Sequence, residues 1–408
     1  MIEKKVNVSD LEIGTYVSRL DRAWVDTPFM FQGFYINDEE DITELTKHCH
    51  YVYIDTSKET LSNDRLLTLE SEHSSVPTLN AGLPTKKVHY NDITAVEDEL
   101  VFAKNCHRDM TLLINDIIAD VEAGRTININ QAKSTLSSMI ESVARNPDAF
   151  MWLTRLRDAD TYTYHHSMDV SILAVAFGRH LGLTKEELQE LAIGTLLFDI
   201  GKMKLPANLL NKPGRLTEEE FDLIKKHVNF SVEIIESIEG ISNTALDIAK
   251  YHHERHNGKG YPEGLQGTQI PIFARIASIV DCYSAITRNR SYCRAVSSHE
   301  AIKQLYEWGD IDFQVELIEQ FIQCLGIYPT GSLVELSTGQ VGVIISQNRV
   351  RRLRPKVMLI LDQHKFAYEH FPIIDLVIET EDADGYELEI VATHEPGSFG
   401  IDPKTFYL

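Results

Sequence analysis

The sequence predicts a mainly α protein. We expect an all-helical metal-binding domain, flanked by a small N-terminal, mostly-β (α+β) domain and a C-terminal β-rich extension. Two observations support this prediction. Apolar residues recur at three-to-four spacing through the middle of the chain, which is typical of amphipathic helices. Short strand-like runs bounded by turn residues are confined to the two end regions.

Shifts in residue pattern predict six segments in the 408 residues. The first three are the N-terminal α+β domain (1–56), a polar linker (57–91) and a helical hairpin or connector (92–147). The last three are the helical catalytic domain (148–326), a β-hairpin extension (327–380) and an acidic, loosely held tail (381–408).

The N-terminal domain is predicted to contain a helix that begins near Asp38 and a strand over Tyr51–Asp55. In the connector, helical spacing begins near Asp92 and stops at Gly124, and a second helix spans about 130–144. These two helices form either the seam of a homodimer or the outer wall of the next domain. The wall is the more frequent outcome in proteins.

Two capping boxes mark helix starts in the catalytic domain. Thr184 and Thr217 each precede a glutamate by three residues, a spacing that satisfies free backbone N–H groups reciprocally. After Gly326, two strand-like runs flank Thr338-Gly339-Gln340, which is a hairpin signal. The basic stretch from Arg349 to Lys356 meets a phosphate or an acidic partner, or it lies at a solvated hairpin edge, where such residues block further strand pairing. The hairpin edge is the expected outcome.

The formal net charge of -22 argues against a DNA, RNA or anionic-membrane partner. The five cysteines are scattered and include no CxxC pair, which favours reduced thiols over a disulfide framework. The first residues contain no apolar signal-peptide core, and no apolar run reaches the roughly 18 residues of a membrane span. We therefore expect a cytoplasmic location.

Six potential metal ligands lie in or near the stretch 198–281. Imidazole nitrogens and carboxylate oxygens are the groups that borderline and hard divalent cations use. The set exceeds what packing of a helical domain requires, and it includes a vicinal histidine pair. The candidates are His166, Asp199, His227, His252, His253 and Asp281.

Asp199 is the expected centre of this set, because a carboxylate can bridge two cations. His166 and Asp281 would join it on one metal, and the other three histidines on the second. Two such cations activate water and stabilise charge on a phosphoryl group. Lys202 follows Asp199 by three residues, so both side chains are expected in the same pocket if the segment is helical.

In its motifs the chain resembles the HD-GYP family of the HD phosphohydrolase superfamily. The match covers about residues 150–326. Members of that family hydrolyse cyclic di-GMP or related cyclic dinucleotides in bacterial signalling, and their catalytic core is all-α and binds metal. The resemblance rests on the order of His166, Phe198-Asp199-Ile200-Gly201-Lys202, Lys226-His227, His252-His253-Glu254, Gly260-Tyr261-Pro262 and Asp281.

The resemblance implies roles for individual residues. Asp199 and Lys202 would be catalytic, Lys202 and Arg290 would hold phosphates, and Tyr261 would line the substrate mouth. One or two divalent metals per chain are implied, whether Fe, Mn, Zn, Ni or Mg. The Gly260-Tyr261-Pro262 loop would also be the contact for signalling partners.

The chain departs from the family at Phe198, where the His of the His-Asp pair is expected. Phenylalanine cannot ligate a metal, so the half-site of His166 and Asp281 lacks its third terminal ligand. Ser284 replaces a second aspartate that is usual after Asp281.

Three functions follow from these residues. The first is a metal-dependent phosphodiesterase that opens a cyclic dinucleotide to a linear one. The second is a degenerate, non-catalytic module that binds a metal or a cyclic dinucleotide and signals through protein partners. The third, a broader nucleotide phosphohydrolase, is disfavoured by the Gly260-Tyr261-Pro262 loop.

Overall fold

The structure is a computed structural model, and it divides into two compact units, Met1–Ala81 and Gly82–Leu408. Within the described residues, no helix combines the length and the apolar character needed to cross a membrane. The residues that the structure describes are 3–21, 34–36, 39–55, 87–155, 162–212, 214, 216–288, 296–349, 351–382, 385–395 and 397–401. Most of the predicted linker, 57–86, lies outside them.

The N-terminal unit contains an antiparallel sheet and a helix, as the α+β prediction required. The strands lie in the order β1-β4-β2-β3. Apolar side chains of the strands and of the helix form one core. The elements are β1 (Glu3–Asn7), β2 (Tyr16–Leu20), β3 (Phe34–Tyr35), α1 (Glu39–His48) and β4 (Tyr51–Asp55).

From Val96 to Leu325 the second unit is mainly helical, which confirms the mainly α prediction. The first helices are α2 (Val96–Glu122), α3 (Ile129–Arg145), α4 (Pro147–Arg155), α5 (Tyr162–Leu181) and α6 (Lys185–Leu197). The next are α7 (Ala207–Leu210), α8 (Glu218–Lys225), α9 (His227–Glu236) and α10 (Asn243–Tyr251). The last are α11 (Ile272–Ile286), α12 (Ser298–Glu307) and α13 (Val315–Leu325).

Both predicted capping boxes are confirmed. Thr184 accepts a hydrogen bond from the backbone N–H of Glu187 and begins α6, and Thr217 does the same with Glu220 at α8. Helix α2 ends just before Gly124, whose φ of +66° is a left-handed conformation that glycine adopts without steric cost.

The helix α5 is the centre of the helical core, and its buried side chains contact α6, α11 and α13. Helices α2 and α3 pack against this core through buried apolar faces. They therefore form the outer wall predicted as one of two alternatives, whereas the homodimer stays a prediction.

A five-stranded antiparallel sheet follows the helices, in the order β8-β7-β6-β5-β9. The predicted hairpin is confirmed: Leu336 and Gln340 are hydrogen-bonded across the turn, and Gly339 has a φ of +82°. The strands are β5 (Leu333–Leu336), β6 (Val341–Ser346), β7 (Lys356–Leu361), β8 (Ile373–Asp375) and β9 (Ile390–His394).

One expectation about this region is wrong, and a second holds only in part. The loosely held tail contains β9, which pairs with β5 through backbone hydrogen bonds, because Ile390 continues the apolar face of the sheet. Only part of the basic stretch is solvated: Arg351 is exposed, whereas Arg349 pairs with Asp148 and Asp92. Arg354 donates to Glu387 and to the Leu388 carbonyl.

A buried carboxylate joins the sheet to the helices. Asp148, at the start of α4, is fully buried and accepts a hydrogen bond from the backbone N–H of Gln347, just after β6. The guanidinium of Arg349 donates to Asp148 at 2.8 Å and to Asp92, before α2, at 3.2 Å. Burial lowers the pKa of Arg349, but these two carboxylates outweigh it and raise that pKa.

We predict that Arg349→Met lowers the free energy of unfolding by about 3 kcal/mol, because it leaves the Asp148 charge buried and unpaired. Arg351→Met is the matched control, since this arginine is exposed in the same segment and should change stability by less than about 0.5 kcal/mol. Urea denaturation of both variants measures the difference. Equal stabilities would contradict the role given to the ion pair.

Candidate metal centre

Asp199 is held where three segments converge. It follows α6 and begins a short 3-10 helix, Ile200–Lys204. The turn packs so closely against α9 that a Cβ on Gly201 would lie 2.2 Å from the His227 carbonyl oxygen. Because no side chain fits there, glycine at 201 permits the approach, and its N–H donates to the Ser231 hydroxyl at 2.8 Å.

Four potential ligands surround one point. The atoms that Asp199, His227, His252 and His253 would offer a cation all lie within 4.8 Å of one another. Asp199 Oδ1 is 3.3 Å from His227 Nε2 and 3.8 Å from His252 Nε2. This is the set that the sequence assigned to one of its two metals.

Hydrogen bonds to backbone carbonyls fix the orientation of two of these imidazoles. His227 Nδ1 lies 2.7 Å from the Ile224 carbonyl, and His252 Nδ1 lies 3.0 Å from that of Ala249. A carbonyl can only accept, so each Nδ1 donates its proton, and in the neutral form of the imidazole this leaves Nε2 with a free lone pair. Such outer partners are typical of metal-ligating histidines.

Three buried atoms at this point have no hydrogen-bond partner among the described residues. They are Asp199 Oδ1, His227 Nε2 and His252 Nε2. Buried polar atoms in proteins are normally satisfied, and these three are all electron-pair donors that face each other. A divalent cation would satisfy all of them at once. The donor set therefore fits one metal.

The charges at the centre suit a cation. Burial raises the pKa of Asp199, but Lys202 and the imidazoles outweigh this and hold it well below its usual range. Burial lowers the pKa of His252 to about 4 and also holds that of His253 well below its usual range. At neutral pH the carboxylate is ionised and both imidazoles are neutral, the states in which they ligate metals.

Lys202 lies beside Asp199, as the sequence predicted. Its Nζ is 2.5 Å from Asp199 Oδ2, the oxygen that does not face the histidines. The 3-10 helix places the two side chains together at a spacing of three residues. The two carboxylate oxygens therefore have different neighbours, imidazoles on one and an ammonium on the other.

His166 and Asp281 are not part of the four-residue group. His166 Nε2 is 2.8 Å from Asp281 Oδ1, and its Nδ1 is 3.2 Å from the Ser284 hydroxyl. Burial raises the pKa of Asp281, but its bond to His166 outweighs this and lowers it. The sequence analysis noted Ser284 only as a replacement for an aspartate that is usual in the family. In the structure its hydroxyl lies within hydrogen-bond distance of His166.

Phe198 lies beside both groups. Its ring is fully buried, with its centroid 4.7 Å from that of His252 and 6.3 Å from that of His166. It belongs to the C-cap of α6, so it has little freedom to move without displacing Asp199. An apolar ring thus contacts His252 of the four-residue group and lies near His166 of the other pair.

The Gly260-Tyr261-Pro262 loop lies directly over His253. The Tyr261 ring stacks on the His253 ring at 4.6 Å between centroids and 26° between planes. Buried Glu254 holds the end of the loop by accepting from the backbone N–H groups of residues 263, 264 and 265. Sequence reasoning missed this role of Glu254, and the only signal was a carboxylate next to the histidine pair.

Helix α2 closes another side of the centre. A cavity of about 20 Å³ borders Asp199 and is walled by Ile114 and Ile117 of α2 and by Leu196 of α6. This volume holds about one water molecule. Arg290, the second predicted phosphate-binding residue, lies outside the described residues.

Comparison with known families assigns most of the chain. An HD domain matches residues 128–314, a KOW domain associated with HD domain matches 333–381, and a domain of unknown function (DUF3391) matches 3–132. The HD match contains all six predicted metal ligands.

Curated relatives carry related names. The cyclic di-GMP phosphodiesterase PA4108 of Pseudomonas aeruginosa is 33% identical, over 87% of this chain and 84% of that protein. The cyclic di-GMP phosphodiesterase response regulator RpfG of Xanthomonas campestris is 36% identical over 42% of this chain and 46% of that protein. The 3'3'-cGAMP-specific phosphodiesterase 1 of Vibrio cholerae is 35% identical over 40% and 39%.

A solved HDG"Y"P protein, Bd1817 of Bdellovibrio bacteriovorus, is 20% identical and has a TM-score of 0.46 over 78% of this chain and 98% of that one. The family assignment rests instead on the Pseudomonas relative, which is similar over most of the length of both proteins. By that similarity and by the HD match, this chain belongs to the HD-GYP family of HD-domain phosphohydrolases.

Proposed function

We propose that this chain is a metal-dependent phosphodiesterase that hydrolyses a cyclic dinucleotide, cyclic di-GMP or a related one, to a linear dinucleotide in bacterial signalling. The observation that carries the proposal is the convergence of Asp199, His227, His252 and His253 on one point, with three buried electron-pair donors otherwise unsatisfied. The names of the relatives agree with this reaction.

The protein groups have distinct tasks in this proposal. A divalent cation bound by the four residues would supply the Lewis acidity that activates water and offsets phosphoryl charge. Lys202 holds a positive charge beside Asp199 and is available to a phosphate oxygen. The stacked Tyr261 ring keeps the His253 imidazole in place and limits solvent access to it.

We infer a single metal as the resident cofactor. The second cation of a two-metal centre would have only His166 and Asp281 as ligands besides Asp199. Phe198 supplies no ligand atom, and an ammonium faces the other oxygen of Asp199. The identity of the metal, a signalling partner at the Gly260-Tyr261-Pro262 loop and a homodimer stay predictions.

The second candidate is a non-catalytic module that binds a metal or a cyclic dinucleotide and signals through partners. The observation that favours it is the buried Phe198 ring beside His166 and His252. Incubation of cyclic di-GMP with the chain and added Mn²⁺ or Fe²⁺ separates the candidates, with Asp199→Ala as the inactive reference. Binding without turnover under every metal would favour the module.

We predict that His252→Ala weakens metal affinity by more than about 10-fold. Loss of a residue that only hydrogen-bonds to a metal ligand already costs at least about 10-fold, and His252 is a ligand itself. The variant loses one of the orphaned nitrogens that face Asp199. Competition with a fluorescent chelator measures the affinity, and hydrolysis of cyclic di-GMP should fall with it.

His364→Ala is the matched control, because this histidine is exposed between β7 and β8. It should retain both metal affinity and turnover. Unchanged affinity in His252→Ala would remove the basis for the proposed centre.

We predict that Phe198→His raises the metal content from one ion per chain to more than one. The new imidazole would stand beside His166 and next to Asp199, where it adds the missing ligand. Elemental analysis after dialysis against Mn²⁺ gives the count, and circular dichroism checks that the variant folds. A folded variant that still holds one ion would show that Phe198 does not set the metal count.

A further inference from the structure

An exposed aromatic ring lies near the metal centre without a role in the reaction described so far. Phe221 of α8 is 45% exposed, and none of the residues of α8 is buried. An isolated exposed phenylalanine is common on protein surfaces and needs no explanation. Its neighbours, however, connect this one to the centre.

Ring contacts lead from Phe221 to a metal ligand. The Phe221 and Tyr261 rings meet edge to face, with centroids 6.3 Å apart at 86°. Tyr261 in turn stacks on His253. Phe221 is thus one aromatic ring away from the residue that touches the predicted cation. A ligand that reaches the cation past Tyr261 would meet the exposed ring.

A lysine accompanies the two rings. Lys225 Nζ lies 4.6 Å from the centroid of Phe221 and 5.9 Å from that of Tyr261. The Lys225 ammonium also forms an ion pair with Asp222 at 2.8 Å, and the Lys225 side chain is partly exposed. The Phe221 ring is therefore partly exposed, with a lysine that is paired to Asp222 lying over the ring.

We propose that Phe221, with Tyr261 and Lys225, forms the nucleobase subsite of the centre. One base of the cyclic dinucleotide stacks on the Phe221 ring while a phosphodiester lies at the four-residue group. Stacking of a base on an aromatic side chain does not depend on which base it is, because every base has a π face. Lys225 lies beside this subsite, over the Phe221 ring. This inference rests on the proposed substrate, not on turnover.

The test is binding of a phosphorothioate analogue of cyclic di-GMP that resists hydrolysis, measured by calorimetry on the metal-loaded full chain. We expect Phe221→Ala to raise the Kd about 10-fold, the range that loss of one base–aromatic stack gives. Phe221→Trp keeps a π face and should bind as tightly as the original chain. Phe221→Leu keeps apolar bulk alone and should bind like the alanine variant.

Phe366→Ala is the matched control, since Phe366 is 71% exposed on the C-terminal sheet, and its Kd should not change. Equal Kd values for the alanine variant and the original chain overturn the subsite, as does tight binding by Phe221→Leu. Absence of analogue binding to the original chain overturns it too. Binding that depends on Phe221, together with absence of cyclic di-GMP hydrolysis, supports the subsite and contradicts only the proposed enzyme.

Discussion

The metal centre depends on the buried carboxylate of Asp199. This burial is stabilised by histidines that the ends of two helices hold in place. The last carbonyls of any helix lack partners inside that helix. At the end of α8 the Ile224 carbonyl accepts from His227, and at the end of α10 the Ala249 carbonyl accepts from His252. The same bonds therefore satisfy the helix ends and turn both Nε2 atoms towards Asp199.

The sequence was sufficient for the parts that local spacing determines. Helical periodicity and the capping glutamates placed the helices, and the three-residue step from Asp199 predicted that Lys202 would face the same pocket. It was not sufficient for pairings between distant residues. The bond between Asp148 and Arg349 joins residues far apart in the chain, and an arginine-rich stretch looks the same whether it is solvated or buried against carboxylates.

Strand β9 was missed for a related reason. It is only five residues long, and the acidic segment before it is typical of a loose tail. Pairing with β5 supplies backbone hydrogen bonds whatever the side chains are. Likewise, a sequence does not show that two candidate ligands, His166 and Asp281, lie within hydrogen-bond distance of each other; their place on a metal stays a prediction.

The electrostatics of the centre follow from the overall charge of the chain and from the few cationic groups near Asp199. With a net charge of -22, the chain repels a cyclic dinucleotide at long range, since the ligand's phosphodiesters are anionic. Attraction must therefore come from groups within about 10 Å of it, the distance beyond which salt screens exposed charges. In the proposed single-metal centre Phe198 adds no ligand for a second cation, so the local positive charge falls to Lys202 and to the cation at the four-residue group. Under that proposal Lys202 matters more than it would beside a pair of metals.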